Sequence, residues 1–373
     1  MPKNSNFEDD IAMACIIVIG VFGLISNGLS LYLTRTKSRF RNAFGILCSS
    51  FLICNLQAIF VLLTWCTIVL SFKSPILSSP ELFLARFVGL LVNGAWFGSI
   101  LVHFFIAVNR FCAFVYAIKY NQLWSAFIAL SIGICSWIFG LLFSIQHLYE
   151  ECSFVFNEKS NYVFSYQNSF HGKICSYADI VATIGIVTGM ACIDFVTLIK
   201  IIAYRKAVRR NTTLSTSDSI NEREILFFKQ SCILGLLYIS CSVVFNTAQY
   251  LSVDKWFLFA SSTITWILTQ SLDGLAFLIF NRKIICKTSF STSTVIPVRH
   301  LNWIQSDSWK ILRQENLTLK NRYRPLVMPT LVFTVIVSGH YGAFEEANDT
   351  VFNMFRKLFG SSGSLLRLLN CLE

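Results

Sequence analysis

Seven stretches of this chain carry almost no charge, and this feature limits its folds more than any other. Five contain no Asp, Glu, Lys or Arg, and the other two contain one aspartate each, Asp194 and Asp273. The runs comprise residues 11–34, 42–72, 87–109, 120–149, 180–199, 230–253 and 257–280. About 20 apolar residues cross the hydrocarbon core of a bilayer. The sequence therefore predicts an all-α bundle of seven transmembrane helices.

The basic residues between the runs predict the orientation of this bundle. Loops 34–42, 110–122 and 200–229 hold thirteen Lys and Arg residues, whereas the N-terminus and the other three loops hold six. Lys and Arg near the ends of membrane spans accumulate on the cytoplasmic side. We therefore expect the N-terminus outside and the C-terminus inside. The net charge of +11 then reflects membrane topology rather than binding to nucleic acid.

Composition predicts three parts: an extracellular N-terminus (1–10), a seven-helix domain (11–287) and a cytoplasmic tail (288–373). The tail differs in composition from the rest of the chain, and its apolar run at 331–337 is too short to cross a bilayer, so we expect it to be disordered or an artefact of gene prediction. Cys286, in the basic exit of the last helix, is a candidate for lipidation. The sequence shows no phosphate-binding loop, nucleophile elbow or metal-spaced cluster. We therefore expect no enzyme activity, cofactor or metal.

Asn109, Arg110 and Phe111 close the third run and form the strongest functional motif. The triplet resembles the Asp-Arg-Tyr motif of rhodopsin-like G-protein-coupled receptors, with Asn replacing the acid. Arginine at a span end can simply snorkel to the headgroups, but this position favours a switch that contacts a cytoplasmic G protein. The same partner is expected to meet a basic face on the fifth helix, formed by Arg205, Lys206, Arg209 and Arg210.

Polar residues within the runs predict two further sites. A carboxylate such as Asp273 is costly in a membrane unless it is hydrogen-bonded, and Asn27 and Asn55 are its expected partners. The alternative is three polar residues, each satisfied locally. Aromatic and amide side chains in the outer halves of the helices favour a pocket for a small organic ligand, although ordinary helix packing is an equal alternative. The pocket residues are Asn93, Trp96, Phe97, Gln249, Trp266 and Gln270.

Four segments carry a resemblance to a known family. They are Gly23-Leu24-Ile25-Ser26-Asn27, Phe44-Gly45-Ile46-Leu47-Cys48, Ala107-Val108-Asn109-Arg110-Phe111-Cys112, and the loop from Cys152 to Cys175. Together they resemble the nematode serpentine chemoreceptors of class X, over roughly residues 11–287. The resemblance implies a rhodopsin-like receptor that binds an external small molecule and activates a heterotrimeric G protein. Its expected location is the plasma membrane, in a sensory cilium in particular.

The chain also departs from the rhodopsin-like pattern. No cysteine lies between Cys66 and Cys112, so the usual bridge from the third helix to the second outer loop cannot form. Cys152 and Cys175 then either bridge each other or remain free or separately paired. The sixth run contains no proline, which leaves a signalling-dead receptor as an alternative. A seven-helix transporter or channel is the other alternative, but the internal repeats typical of transporters are not seen.

Overall fold

The computed structural model of the protein describes residues 3–116, 119–157, 162–211 and 218–287. The chain divides into two compact units, 1–281 and 282–373. The predicted tail, 288–373, lies outside the described residues, so its character and the three-part division of the chain stay predictions.

Long helices make up most of the described residues. They are α1 (Lys3–Thr36), α2 (Ala43–Phe72), α3 (Phe83–Val115), α4 (Ala126–Phe143), α5 (Phe170–Asn211), α6 (Asp218–Leu251) and α7 (Thr265–Lys287). Within the described part of the chain, six helices are long and apolar enough to cross a membrane. The remaining predicted run lies in α6, whose described apolar stretch is the shorter Cys232–Ala248.

Local signals explain where α2 and α4 begin and where α2 ends. The Asn42 side chain accepts a hydrogen bond from the backbone N–H of Gly45 at 2.9 Å, and Ser125 caps α4 in the same way. Such caps satisfy backbone donors that have no partner within the helix. After Phe72, Lys73 adopts a left-handed conformation with φ of 52°, which ends α2.

The predicted N-terminal tail is helical from Lys3 onward and continuous with α1. Its acidic residues hold it against two loops: Asp9 pairs with Lys73 at 2.8 Å, and Glu8 pairs with Lys255 at 3.2 Å. The Tyr162 hydroxyl also donates to Asp9, at 2.5 Å. The first helix is therefore anchored to three other segments at its start.

A β-hairpin corrects the prediction of a purely helical fold. Strands β1 (Phe154–Asn157) and β2 (Val163–Tyr166) pair antiparallel, with Phe154 opposite Tyr166. The aromatic residues alternate along both strands, and this period of two was the available sequence signal. The hairpin approaches α3 closely, since a Cβ at Gly89 would lie 2.1 Å from the Phe154 carbonyl oxygen.

Helix α3 is central and packs against α2, α4, α5 and α6. Its contact with α4 is made by glycines: a Cβ at Gly140 would lie 2.3 Å from the Gly94 carbonyl oxygen and 2.6 Å from the Gly98 nitrogen. Small residues let helix backbones approach closely where lipid offers no hydrophobic driving force between helices. This close contact between α3 and α4 fixes which face of α3 points toward the other helices.

Helix α7 is preceded, without a break, by a short helix (Lys255–Phe259) and a π-helical turn (Ala260–Ile264). In this turn the Thr263 hydroxyl donates to the Tyr162 carbonyl oxygen at 2.7 Å. Tyr162 has a φ of 52°, which is uncommon for a residue other than glycine. The turn and the hairpin therefore hold each other at the end of the bundle where α7 begins.

Candidate functional site

A buried polar cluster surrounds Asp273, a residue of α7 whose side chain is fully buried. Its Oδ2 atom accepts a hydrogen bond from Asn55 Nδ2 of α2 at 2.8 Å and another from the Tyr238 hydroxyl of α6 at 2.6 Å. The structure thus brings together two of the three residues expected to form this cluster, Asn55 and Asp273. It adds Tyr238, which ties α6 to the same carboxyl group.

Helix α3 supplies the remaining members of the cluster. The Ser99 hydroxyl donates to Asn55 Oδ1 at 2.8 Å and lies 2.9 Å from the Tyr238 hydroxyl. His103 Nε2 lies 3.5 Å from Asp273 Oδ2, and its ring packs 4.9 Å from that of Tyr238. Four helices, α2, α3, α6 and α7, therefore meet at one carboxyl group. Within the described residues, Asp273 Oδ1 and His103 Nε2 have no hydrogen-bond partner, so the cluster is only partly satisfied.

Asn27 occupies a different place from the one predicted. Its Nδ2 atom donates to the carbonyl oxygens of Gly23 and Gln270, at 2.8 and 3.1 Å, rather than to Asp273. The backbones of α1 and α7 are close here, since a Cβ at Gly274 would lie 2.7 Å from the Asn27 nitrogen. The proximity of the backbones makes carbonyl groups the nearest acceptors, so Asn27 joins α1 to α7.

The roles of Ser99, His103 and Tyr238 were not predicted from the sequence. A signal for two of them was available in the spacing along α3. Trp96, Ser99, His103 and Arg110 recur at intervals of three, four and seven residues, which places them on one helix face. This face follows the interior of the bundle from the aromatic region to Arg110. Tyr238 had no comparable signal, because no charged residue and no regular spacing of polar residues marks α6 near it.

An aromatic cluster lies outward from this polar cluster. The Trp96 ring is 5.2 Å from that of Tyr238 and 6.0 Å from that of Trp266, and the hairpin residue Phe154 lies 5.9 Å from Trp266. Gln270, one turn from Trp266 on α7, is fully buried. Within the described residues, neither its amide atoms nor Trp266 Nε1 has a hydrogen-bond partner.

The other predicted pocket residues lie elsewhere or cannot be placed. Phe97 packs against Phe143 of α4, with ring centroids 4.6 Å apart, because it points away from Trp96 across α3. Asn93 Nδ2 donates to Asp179 Oδ2 of α5 at 2.8 Å and lies 2.7 Å from His147 Nε2, so its amide is already used. The side chain of Gln249 is outside the described residues.

Asp179 is the centre of a second buried network that the sequence analysis did not identify. Besides Asn93, it accepts hydrogen bonds from Gln146 at 2.7 Å and from the Tyr166 hydroxyl at 2.6 Å. Burial, together with the charge of Asp179 and this hydrogen bond, raises the pKa of Tyr166 well above its usual value. Tyr166 therefore keeps the proton that it donates, and the hairpin is fixed to α5.

The two cysteines that flank the hairpin are joined in a disulfide, Cys152–Cys175, with Cα atoms 5.9 Å apart. His147 supports the same segment, since its Nδ1 lies 3.0 Å from the Cys152 carbonyl oxygen. A carbonyl oxygen only accepts hydrogen bonds, so Nδ1 carries the proton in this contact. The bridge attaches the start of the hairpin to the first turns of α5.

The predicted switch residue Arg110 is buried near the end of α3. Its guanidinium carbon lies 3.5 Å from the centre of the Phe44 ring in α2, a cation–π contact. Asn109 Nδ2 donates to the Tyr120 hydroxyl at 2.9 Å, and the Phe111 ring lies 6.3 Å from that of Tyr116. The arginine thus packs on a neighbouring helix.

Other predicted residues of the inner end are not described. The side chains of the basic face and of Cys286 lie outside the described residues, so their roles stay predictions. At this end, Asn281 Nδ2 of α7 donates to Gln230 Oε1 of α6 at 3.1 Å. Both side chains are buried. No group of three or more metal-binding side chains occurs in the part of the chain that the structure describes.

Comparison with known proteins agrees with this architecture. Residues 17–281 match the family described as serpentine type 7TM GPCR chemoreceptor Srx. The chain is also 25% identical, over 191 residues, to serpentine receptor class X-43 of Caenorhabditis elegans. That similarity covers 49% of this chain and 58% of the relative, so the chain spans just over half of the relative's length. Because the family match covers most of its length, the chain belongs to the Srx family of seven-transmembrane serpentine chemoreceptors.

Proposed function

We propose that the protein binds a small extracellular molecule and activates a heterotrimeric G protein at the opposite face of the membrane. One observation carries this proposal: a column of buried polar side chains runs along α3 from Trp96 through Ser99 and His103 to Arg110. The column passes the carboxyl group of Asp273, where four helices meet. A change in helix packing at the aromatic cluster would therefore act on the helix that carries the switch residue.

The ligand site is proposed to be the aromatic cluster around Trp96 and Trp266, with Gln270 at its base. A buried polar atom without a hydrogen bond costs about 1–3 kcal/mol, and Gln270 has two such atoms within the described residues. A ligand that both donates and accepts a hydrogen bond would remove this cost. The aromatic rings supply apolar walls. The carboxyl group of Asp273 already accepts hydrogen bonds from Asn55 and Tyr238, so it is not expected to pair with a cationic ligand. The expected ligand is therefore small, mostly apolar and uncharged, with one polar group.

The G-protein site is proposed to lie at the inner end of α3, where Arg110 packs on Phe44. A cation–π contact is worth about 0.5–2 kcal/mol, and charge-assisted hydrogen bonds to a partner would replace the contacts that hold the guanidinium here. The bond between Asn281 and Gln230 holds α6 and α7 together at the same end. We propose that activation breaks both contacts and exposes the Arg110 guanidinium, next to the basic extension of α5.

The test is a ligand screen in cells that report guanine-nucleotide exchange on a co-expressed G protein. An active compound should lose potency roughly tenfold in Gln270→Leu, because about 1.4 kcal/mol of hydrogen bonding is lost. Gln122→Leu, at an exposed position between α3 and α4, is the matched control. Equal potency in Gln270→Leu and the parent would reject this ligand site. Ion flux or solute uptake without nucleotide exchange would instead indicate a transporter or channel.

A further inference from the structure

A cleft of about 210 Å³ opens between the predicted cytoplasmic ends of α1 and α2. It lies at the level of the switch residue, a long way along the helices from the aromatic cluster. Its walls come from the end of α1, the connecting turn and the first two turns of α2. The lining residues are Thr34, Arg35, Phe40, Arg41, Gly45, Ile46 and Ser49.

The lining is basic and contains no acidic side chain. Arg35 and Arg41 are both exposed, and neither forms an ion pair with another described residue. The turn between α1 and α2 adds Lys37 and Arg39 and also has no acid. Arginine presents a planar fork of donors that matches the oxygens of a phosphate group. The cleft therefore suits a phosphate-bearing anion.

The walls of the cleft are held in place by packing. Gly45 allows the turn to lie directly on α2, since a Cβ there would be 1.9 Å from the Phe40 carbonyl oxygen. The buried Phe40 ring packs 5.3 Å from Phe277 of α7. The first turn of α2 also lies at the cleft, and the positive end of a helix dipole favours anions. A preformed shape and the two arginines are thus separate observations that favour the same ligand chemistry.

The neighbouring surface of α1 indicates the source of the phosphate. Tyr32, one turn before Arg35, is 63% exposed, and Ile25, two turns further back, is 64% exposed. In a transmembrane helix these side chains face lipid, so an acyl chain can lie along them while its headgroup enters the cleft. Anionic lipids are concentrated in the cytoplasmic leaflet, the side on which this turn is predicted to lie.

We propose that this cleft binds the phosphorylated headgroup of an anionic membrane lipid, with Arg35 and Arg41 contacting the phosphate. The site is independent of the external ligand. It also neighbours the switch, because Phe44, which packs on Arg110, lies between the lining residues Arg41 and Gly45. A bound lipid holds the turn against α2 and α7 and so supports the packed position of Arg110.

The test uses the full-length receptor in nanodiscs of phosphatidylcholine with a minor fraction of phosphatidylinositol 4-phosphate. Native mass spectrometry then counts the phosphoinositide molecules that stay bound. The parent receptor is expected to retain one in preference to phosphatidylcholine. Arg35→Gln with Arg41→Gln should weaken retention about 30-fold, since each basic residue at an anionic surface contributes a factor of five or so. Ile46→Trp should weaken it as well, because the indole fills the cleft and leaves the charge unchanged.

Control variants separate a built site from general attraction. Lys119→Gln removes an exposed basic residue of the next predicted inner loop and should leave retention unchanged. Equal losses in Lys119→Gln and the arginine variant would overturn the proposal, as would normal retention in Ile46→Trp. If the arginine variant fails to fold, Ile46→Trp decides the question. Displacement by soluble inositol 1,4-bisphosphate at the concentration of the lipid would show that the ligand is a free phosphate and would also reject the lipid.

Discussion

Replacing Tyr238 with phenylalanine removes one hydroxyl group from the cluster around Asp273. The ring keeps its place between Trp96 and His103, whose rings lie 5.2 and 4.9 Å away. The change deletes the 2.6 Å hydrogen bond to Asp273 Oδ2 and the 2.9 Å contact with Ser99. Tyr238 and Asp273 are both fully buried, so water cannot replace the lost donor.

The expected cost follows from the remaining partners of the carboxyl group. Asp273 Oδ1 has no hydrogen-bond partner within the described residues, so the variant leaves Asn55 as the main donor. A buried hydrogen bond to a carboxylate contributes about 1.5–3 kcal/mol to the free energy of unfolding. For a domain of about 250 residues, a loss of about 2 kcal/mol lowers the unfolding midpoint by about 4–8 °C.

The assay is thermal unfolding of purified receptor with a thiol-reactive fluorophore at a fixed heating rate. Cys48, Cys54 and Cys66 are buried and become reactive only when the bundle opens, so the dye reports loss of the folded state. Tyr177→Phe, at a position 64% exposed on α5, is the matched control and should not move the midpoint. A fixed heating rate is needed because membrane proteins of this size often unfold irreversibly.

A double-mutant cycle with Asp273→Asn separates the hydrogen bond from general packing. If the hydroxyl acts through the carboxyl group, Tyr238→Phe should cost less in the Asp273→Asn background than in the parent. An unchanged midpoint in Tyr238→Phe, or the same loss in both backgrounds, would refute the assignment of Tyr238 to this cluster.

Three further predictions concern the ends of the bundle. Arg110→Ala should abolish ligand-driven nucleotide exchange while surface expression stays normal, and unchanged exchange would contradict the switch role. Cys152→Ser should destabilise the receptor by about 3 kcal/mol, because the bridge spans 23 residues; Cys175→Ser should match it, and the double variant should cost no more. Glutamine at all four positions of the basic face should weaken nucleotide exchange, while glycosylation mapping should show an unchanged topology. The four residues are Arg205, Lys206, Arg209 and Arg210.

Sequence patterns located the candidate residues better than they located their partners. Asn55 and Asp273 were predicted to meet and do so, whereas Asn27 is bonded to the carbonyl oxygens of Gly23 and Gln270 instead. Trp96 and Trp266 lie in one aromatic cluster, whereas Asn93 belongs to the network around Asp179. The direction in which each side chain points decides which partner an amide reaches, and spacing within one helix does not specify it.

The hairpin was missed for a different reason. Phe154, Phe156 and Phe164 alternate with other residues, but they lie in a short connection between two long apolar helices. Its two strands have four residues each and are marginal alone. They are stabilised by the disulfide, by Asp179 and by packing against α3 and α7, and these contacts come from distant parts of the chain.

The sequence by itself determined the helical runs, the basic loops between them and the position of Arg110 at the end of α3. These properties follow from local physics, because the length of an apolar run and the placement of charge can be compared directly with a bilayer. Only the tertiary structure decided which side chains meet at Asp273, since its partners Tyr238 and Asn55 lie 35 and 218 residues away. A membrane helix is apolar on its lipid face and its buried face alike, so its sequence does not fix its rotation. The rotation is fixed by contacts between helices, such as the close approach of α4 to α3 at Gly140 and Gly94.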